Sequence, residues 1–431
     1  MNGKARIAIT GIGLVTPVGN DRESTWQALQ AGRPGPGPIT TFDASGFTTR
    51  IGSEVKGFDF ENVAPRKLLK HASRTHRFAL SAAEEALTEA GIRPESATAE
   101  RWGLAVGAGM MSISMEELGV VHSRCAPNGD FHPEQMAAAD YPADPVYFSR
   151  TQCNAGVALL AHHFDIRGYV TAVHTACASG GQAIGTALKV MRRGLVDKML
   201  VGGFDSMLNP IGLSSFCLLG ALSTDNDEPW RASRPFDATR NGFVLGEGAG
   251  FLVLERWEDA VKRGAPIYAE LAGDGNSLSC YRITDSPPDG DGPIQAIRQS
   301  LASAGLRPED IDYVNAHGTS TQMNDQSECA ALKAVMGDHL PNVSVSSTKG
   351  CMGHLIAAAG AVEAAVCALA IRDGIAPVNA NFVTPDEGST GVNIVAGQSR
   401  PGRIRAAISN SLGFGGSNSC LSFRHPDLVD A

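Results

Sequence analysis

The stretch from Thr171 to Gly194 constrains the fold of this chain more than any other. A short apolar run from Tyr169 to Val173 predicts a strand, the tight sequence ACASGG follows, and apolar residues then recur at helical spacing. Cys177 is therefore expected where a strand turns into a helix, and the free N–H groups and the dipole of a helix start favour a thiolate. Such a cysteine is either a nucleophile or a small buried apolar residue, and this stretch alone does not decide between the two.

The length of the chain argues for more than one hydrophobic core. With 431 residues it exceeds what a single core usually organises. Strand patterns alternate with helix patterns on both sides of a break near residues 263–266, and each half has one helix that follows a turn rich in reactive side chains. We therefore expect two similar α/β halves, at residues 1–265 and 266–431.

Composition excludes several classes of protein. Acidic residues outnumber basic ones, 45 to 36, and the formal net charge of −9 argues against a general nucleic-acid or anionic-membrane surface. The nine cysteines are scattered without a CxxC pair, as in reduced proteins. No apolar run is long enough to span a bilayer, and no secretory leader is recognisable. We expect a cytoplasmic protein without a membrane or nucleic-acid partner.

Three further turns carry side chains that could take part in chemistry. His317 lies in NAHGTST, Lys349 and His354 lie in STKGCMGH, and Phe414 lies in the glycine-rich LGFGGSN. Each turn follows a predicted strand, and ligands in open α/β sheets bind at the carboxyl ends of strands. Taken singly these residues are weak indicators, because such histidines are more often structural and such lysines more often solvated.

Together, these motifs resemble those of a known family. TACASG, NAHGTST, STKGCMGHLIAAAGAVEA and NSLGFGGSN occur in this order, together with RPFDATRNGFVLGEGAG at residues 234–250. They resemble the condensing enzymes of the thiolase superfamily, above all the β-ketoacyl-[acyl carrier protein] synthases of type I/II and the ketosynthases of type II polyketide systems. The resemblance extends from about Arg6 to Phe423.

The resemblance implies both a fold and a reaction. The fold is α/β and thiolase-like, with two fused similar halves in a five-layered α-β-α-β-α arrangement. It also implies a homodimer, and a heterodimer with a chain-length-factor-like sibling is the alternative. The reaction is the decarboxylative condensation of an acyl-enzyme with malonyl-[acyl carrier protein]. It needs no metal or other cofactor, because two imidazole N–H groups stabilise the enolate. The substrates are carried on the phosphopantetheine of an acyl carrier protein.

The resemblance also implies roles for individual residues. Cys177 is the nucleophile, and His317 and His354 flank it and stabilise an enolate. The remaining roles are supporting ones: an ion pair that orients His354 (Lys349 and Glu363), an oxyanion hole of two backbone N–H groups (Cys177 and Phe414), contacts to the phosphopantetheine arm (Thr319 and Thr321), and contacts to the acyl chain (Met110, Met111 and Phe216).

Several positions depart from the family pattern. His174 stands where a small or hydroxylic residue is expected, and it is either a core substitution or a donor near the thiol. Met110 and Met111 replace a glycine-rich stretch and are expected to reshape the acyl pocket. Leu219 and Gly220 lack the basic residue that fatty-acid enzymes often place there. These departures favour a specialised acyl chain, of polyketide, polyene or unusual fatty-acid type.

A basic segment is the candidate docking surface for an acidic carrier protein. Because the chain is acidic overall, docking requires a local positive patch. The candidate residues are Arg66, Lys67, Lys70, Arg74 and Arg77, and the alternative is an ordinary solvated helix face. Competing functions are a coenzyme A thiolase and a non-catalytic subunit of a synthase assembly.

Overall fold

A ten-stranded mixed sheet joins the two halves of the chain in the computed structural model, which describes residues 5–109, 115–142 and 144–428. Two ladders of two-residue strands, Gly37–Pro38 with Ile51–Gly52 and Ile375–Ala376 with Arg400–Pro401, lie outside it. The strands of the large sheet are β1 (Ile7–Val15), β2 (Trp102–Ala108), β3 (Val170–Val173), β4 (Lys198–Ser206), β5 (Glu247–Arg256), β6 (Ala269–Leu278), β7 (Tyr313–Asn315), β8 (Ser344–Ser346), β9 (Ala406–Leu412) and β10 (Ser417–Arg424).

The two halves of the sheet have the same strand order. Its sequence across the sheet is β8-β7-β9-β10-β6-β1-β5-β4-β2-β3, with β1 and β6 antiparallel at the junction. If the five strands of each half are numbered in chain order, their spatial order outward from that junction is first, fifth, fourth, second and third in both halves. Strands β2, β3 and β4 are parallel to one another, as are β7, β8 and β9. The predicted boundary at residues 265/266 lies between the two sets of strands.

Thirteen α-helices accompany the sheet in the described part of the chain. They are α1 (Arg22–Gln30), α2 (Arg66–Leu69), α3 (Arg74–Ala90), α4 (Met115–Cys125), α5 (Pro145–Thr151), α6 (Ala155–Phe164), α7 (Ser179–Arg192), α8 (Pro210–Leu218), α9 (Trp257–Lys262), α10 (Asp291–Ala304), α11 (Gln322–Met336), α12 (Lys349–Met352) and α13 (Ala359–Asp373). None of these helices combines the length and the apolar composition that a bilayer crossing requires.

The helices form three layers around the two halves of the sheet. Helices α7 and α13 lie in the middle and contact strands of both halves. Helix α3 covers the outer face of β1, β5 and β4, while α10 and α11 cover the outer face of the second half. The result is the α-β-α-β-α arrangement that the sequence predicts.

Helix α13 begins later than the sequence pattern suggests. The alanine-rich run predicts a helix over residues 354–372, but the regular helix begins at Ala359. Gly353, at φ 70°, ends the short helix α12, and Ile356, at φ 47°, is the first residue of a single 3₁₀ turn at Ile356–Ala358. These left-handed residues interrupt the helix, so that His354 lies between the two helical segments, where its backbone pairs with that of Leu245, rather than on a helix face.

Helices α7 and α13 cross with their backbones in contact near their first turns. A Cβ atom added to Gly360 would lie 2.6 Å from the backbone nitrogen of Gly181. Only a residue without a Cβ permits this approach. The crossing brings the turn that carries Cys177 close to the turn that carries His354.

Candidate active site

The four turns singled out in the sequence meet at one cavity. They follow β3, β7, β8 and β9, at the carboxyl ends of the two parallel sets of strands. The cavity has a volume of about 290 Å³, and its walls include Cys177, His317, Thr319, His354 and Phe414. The two halves of the chain therefore contribute to a single site.

Cys177, His317 and His354 form its buried centre. The Nε2 atom of His354 lies 3.0 Å from the Sγ atom of Cys177. The two imidazole rings meet edge to face at a centroid distance of 5.2 Å. One nitrogen from each ring and the cysteine sulfur all lie within 4.8 Å of one another. A substrate atom next to the sulfur is thus within reach of both rings.

The backbone fixes which nitrogen of His354 carries the proton. The N–H of Ile356 donates to Nδ1 of His354 at 3.2 Å, so Nδ1 is an acceptor. Burial and the positive charge of Lys349 lower the pKa of His354 well below its usual value, and the ring is neutral. A neutral ring that accepts at Nδ1 must donate from Nε2, the atom that faces Cys177.

His317 is neutral for the same reasons. Burial lowers its pKa well below the usual value, and the charges of Lys349 and of a protonated His354 act in the same direction. Its Nδ1 has no hydrogen-bond partner among the described residues. This second ring can therefore also offer a neutral N–H donor to a substrate.

The prediction of an anionic sulfur is wrong for the substrate-free site. Burial raises the pKa of the Cys177 thiol to about 12. The charge of Lys349 and the backbone N–H groups of Phe414 and Cys177 lower that pKa, but they do not offset the removal of the thiol from water. These two N–H groups do converge on the sulfur, as the predicted oxyanion hole requires.

Lys349 and Glu363 form the predicted ion pair. It affects His354 through the positive charge of Lys349, which lowers the pKa of the ring. The two side chains are fully buried and hydrogen-bonded to each other, and among the described residues neither forms a hydrogen bond with the ring of His354. Burial raises the pKa of Glu363 to about 7, and Lys349 opposes this. The ring orientation comes from the Ile356 N–H and from Phe243, whose ring meets that of His354 edge to face at 5.3 Å.

Two buried carboxylates that the sequence analysis missed hold the turn of His317. Glu328 accepts the backbone N–H groups of His317 and Gly318, each at 2.8 Å. Asp325 accepts the N–H of Thr319 at 2.9 Å. Both lie on α11, directly after the NAHGTST motif, and their spacing of three residues places them on one helix face. Two acidic residues three positions apart, directly after the motif, were the sequence signal that could have identified them.

The residues predicted to contact the substrate lie at different positions relative to the cavity. Thr319 and Thr321 both line the cavity, with their hydroxyl oxygens 2.9 Å apart. Phe216 is not among the cavity-lining residues. It lies behind them and packs against Phe414 and Phe243 at centroid distances of 6.3 and 5.6 Å. Phe216 thus supports the wall of the cavity from behind, and its contact with an acyl chain stays a prediction. Met110 and Met111 lie outside the described residues.

The candidate docking patch is smaller than the sequence suggests. Arg74 pairs with the buried carboxylate of Glu247, with its Nε donating at 2.8 Å, and Arg77 pairs with Glu61 at 2.8 Å. The guanidinium of Arg74 is thus already paired with a buried acid, and its role in docking stays a prediction. The remaining residues Arg66, Lys67 and Lys70 are exposed on and next to α2.

His174 is tied to the backbone of β2. Its Nδ1 lies 3.1 Å from the carbonyl oxygen of Ala108, the last residue of that strand. Because a carbonyl oxygen only accepts, Nδ1 is the protonated nitrogen of this ring. The side chain is exposed, and the prediction that it is a buried core substitution is wrong.

Comparisons with known proteins agree with this geometry. Residues 4–260 match the family model "Beta-ketoacyl synthase, N-terminal domain", and residues 268–383 match "Beta-ketoacyl synthase, C-terminal domain". A relative from Synechocystis sp., 3-oxoacyl-[acyl-carrier-protein] synthase 2, is 39% identical over 98% of both chains.

Solved structures share the whole fold. The ishigamide ketosynthase/chain length factor superposes with a TM-score of 0.88 at 33% identity, covering 98% of this chain and 99% of the other. A type II PKS ketosynthase in complex with its acyl-carrier protein superposes with a TM-score of 0.87 at 30% identity, covering 99% of this chain and 100% of the other.

Proposed function

Because the chain belongs to the β-ketoacyl synthase family, we propose that it is an acyltransferase that joins an acyl group on Cys177 to a malonyl thioester, with release of carbon dioxide. The observation that carries the proposal is the meeting of one thiol, two neutral imidazoles and two convergent backbone N–H groups in a single cavity. Each of these groups has a part in one of two successive half-reactions.

The first half-reaction is acyl transfer. The sulfur of Cys177 attacks the carbonyl carbon of an acyl thioester, and the carbonyl oxygen becomes an oxyanion. The N–H groups of Cys177 and Phe414 stabilise this charge, and such donors typically contribute about 3 kcal/mol each to the transition state. The thiol of the carrier then leaves with the proton, and the acyl group remains on Cys177.

The second half-reaction forms the carbon–carbon bond. A malonyl thioester loses carbon dioxide, and the electron pair of the broken bond becomes an enolate. The N–H groups of His354 and His317 donate to the enolate oxygen, and neutral rings can do so without losing a proton. The enolate carbon attacks the acyl carbonyl, and the carbon–sulfur bond to Cys177 breaks. The sulfur leaves as a thiolate that takes up a proton from solvent, and the product is a 3-oxoacyl thioester. Cofactor independence stays part of this proposal: dialysis against EDTA should leave the rate unchanged.

An acyl carrier protein is the proposed partner that delivers both thioesters. Thr319 and Thr321 line the cavity and offer hydroxyl groups to a phosphopantetheine arm. A second chain is the other proposed partner. Strand β3 lies at the end of the sheet with one edge unpaired among the described residues, and Val170 is exposed there. Such an edge is a template for pairing with another copy, in a homodimer.

Intact-mass analysis tests the proposal directly. Purified protein incubated with an acyl-carrier protein thioester should gain the mass of one acyl group, and Cys177→Ser should not. Addition of malonyl-carrier protein should discharge the adduct and give the 3-oxoacyl product. Absence of the adduct in the unaltered protein would contradict the proposal.

The second candidate is the ketosynthase subunit of a heterodimer that makes a specialised chain. It is favoured by the similarity to the ishigamide ketosynthase/chain length factor. Light scattering and acyl profiling separate the two. A homodimer that elongates ordinary saturated acyl chains supports the first candidate. A protein that is active only together with a chain-length-factor-like subunit supports the second.

A further inference from the structure

The two halves of the chain contain equivalent turns before their central helices. Ala176 precedes α7 and Ile356 precedes α13, and both are non-glycine residues with a positive φ, of 50° and 47°. In each half a single 3₁₀ turn follows, at Ala176–Ala178 and Ile356–Ala358. Because the strand order of the halves is also the same, Ala357 occupies in the second half the place that Cys177 occupies in the first.

The backbone N–H groups at the two turns have different partners. In the first half, the N–H of Cys177 and that of Phe414 point at the sulfur and form the oxyanion hole. In the second half, the N–H of Ala357 donates to Oδ2 of Asp205 at 3.0 Å. Asp205 is only 2% exposed and lies near the end of β4, the strand equivalent to β9, after which Phe414 follows. A carboxylate of the chain itself thus accepts the N–H that corresponds in position to that of Cys177.

The space around Asp205 is shaped to hold this carboxylate. A Cβ atom on Gly109 would lie 2.1 Å from Oδ1 of Asp205, so a larger residue at position 109 would displace the carboxylate. Burial raises the pKa of Asp205 to about 7, and the backbone N–H groups of Ala357 and Ser206 oppose this. A carboxyl oxygen accepts the Ala357 N–H in either protonation state.

We propose that Asp205 is a positioning residue for His354, which it orients by fixing the turn at Ile356 and Ala357. The chain of contacts is short. Asp205 holds the N–H of Ala357, the adjacent N–H of Ile356 holds Nδ1 of His354, and the Nε2–H of that ring then faces the reacting atoms. The inference rests on the proposed function, because it assigns Asp205 to the half-reaction that uses His354.

Two substitutions separate this role from general support of the fold. Asp205→Ala removes the acceptor, leaves a buried N–H unpaired and releases the turn. Decarboxylation of malonyl-carrier protein should fall about tenfold or more, since small displacements of a catalytic group are costly. Acyl transfer to Cys177, which uses backbone N–H groups, should change less than about threefold. Asp205→Asn keeps an acceptor oxygen and should restore decarboxylation to within about threefold of the unaltered protein.

Asp274 provides the matched control. It is also a buried carboxylate in the middle of the molecule, where it pairs with Lys189, and it lies outside the cavity. Asp274→Ala should leave the ratio of the two half-reactions unchanged. Should Asp205→Ala not fold, Asp205→Ser, whose hydroxyl is too short to reach Ala357, replaces it.

A spectroscopic readout keeps the test independent of turnover. The ¹⁵N shifts of the His354 ring should report the Nε2–H tautomer in the unaltered protein and in Asp205→Asn, and a mixture of tautomers in Asp205→Ala. Equal losses in both half-reactions, no loss at all, or an unchanged tautomer in Asp205→Ala would overturn the inference. If the unaltered protein forms no adduct on Cys177, the proposed function fails, while the tautomer measurement still decides the role of Asp205.

Discussion

At the scale of single residues, burial dominates the chemistry of the site. The same removal from water keeps both histidines neutral and keeps the Cys177 thiol protonated. Neutral imidazoles are the form in which the enolate mechanism needs them. With a protonated thiol, the acyl transfer proposed above requires the leaving thiol of the carrier to take up the proton of Cys177.

The substrate-free thiol should therefore react slowly with alkylating agents at neutral pH. Its pKa is raised, so the thiolate fraction is very small at pH 7 and grows as the pH increases. The rate of Cys177 alkylation by iodoacetamide should rise about tenfold per pH unit from pH 7 to pH 9, because only the thiolate reacts. Mass spectrometry of the Cys177 peptide measures it, with exposed Cys153 as the internal control. A plateau below pH 8 would contradict the assignment.

The buried pair of Lys349 and Glu363 gives a second residue-scale prediction. Lys349→Met leaves the carboxylate of Glu363 buried without its partner, and the free energy of unfolding should fall by about 3–5 kcal/mol. Adding Glu363→Leu should recover much of this loss, because no unpaired charge remains. Urea denaturation measures both variants. Arg93→Met, which breaks the exposed pair of Arg93 and Glu84, should cost far less; an equal loss would contradict the argument.

At the scale of elements, the crossing of α7 and α13 determines the geometry of the site. Both helices begin in turns that carry reactive residues, and they are close because glycines line their contact. Long side chains there would hold the helices farther apart and separate Cys177 from His354. The two helices of the middle layer thus position the two parts of the catalytic centre.

Gly360→Ala tests this crossing. The added Cβ would meet the backbone nitrogen of Gly181 at 2.6 Å, and overpacking of this kind typically costs about 1–3 kcal/mol. Condensation activity should fall together with the melting temperature. Gly119→Ala on α4 is the control. An added Cβ there meets no atom within 4 Å, and alanine should stabilise the helix by about 0.5–1 kcal/mol. Equal melting temperatures for both variants would refute the packing argument.

At the scale of the whole molecule, the exposed basic residues on and next to α2 lie at the end of the sheet that contains the cavity. The ion pair of Arg74 with Glu247 ties the start of α3 to the start of β5, and β5 begins at the end of the sheet where β4 finishes. This is the end that contains the cavity. Lys67 and Lys70 are therefore on the side of the molecule that a carrier protein must approach.

Charge reversal at these two lysines should weaken delivery by the carrier. Lys67→Glu with Lys70→Glu should raise KM for an acyl-carrier protein about tenfold or more at low salt, with little change in kcat, and the salt dependence of kcat/KM should become shallower. Lys262→Glu, on α9 after the far end of β5, is the control and should leave KM unchanged. If KM for the acyl-carrier protein rose equally in both variants, the docking surface would lie elsewhere.

The sequence alone predicted the fold class, two α/β halves and the turns that carry the reactive side chains. Strand and helix periodicity is a local property, and turn motifs such as TACASG and NAHGTST are contiguous, so both can be recognised without coordinates. The structure confirmed the five-layered arrangement and brought Cys177, His317 and His354 into one cavity. Helix bounds were less predictable, as with α13, where positive φ values delay the helix start.

Only the tertiary structure decided properties that depend on distant parts of the chain. Burial raised the pKa of Cys177 against the helix-start argument, and a buried acid on β5 pairs with Arg74, one of the predicted docking residues. The equivalence of Cys177 and Ala357, and with it the place of Asp205, required the matching strand order of both halves. Desolvation and pairing are set by residues hundreds of positions away, and the local pattern of a sequence does not contain them.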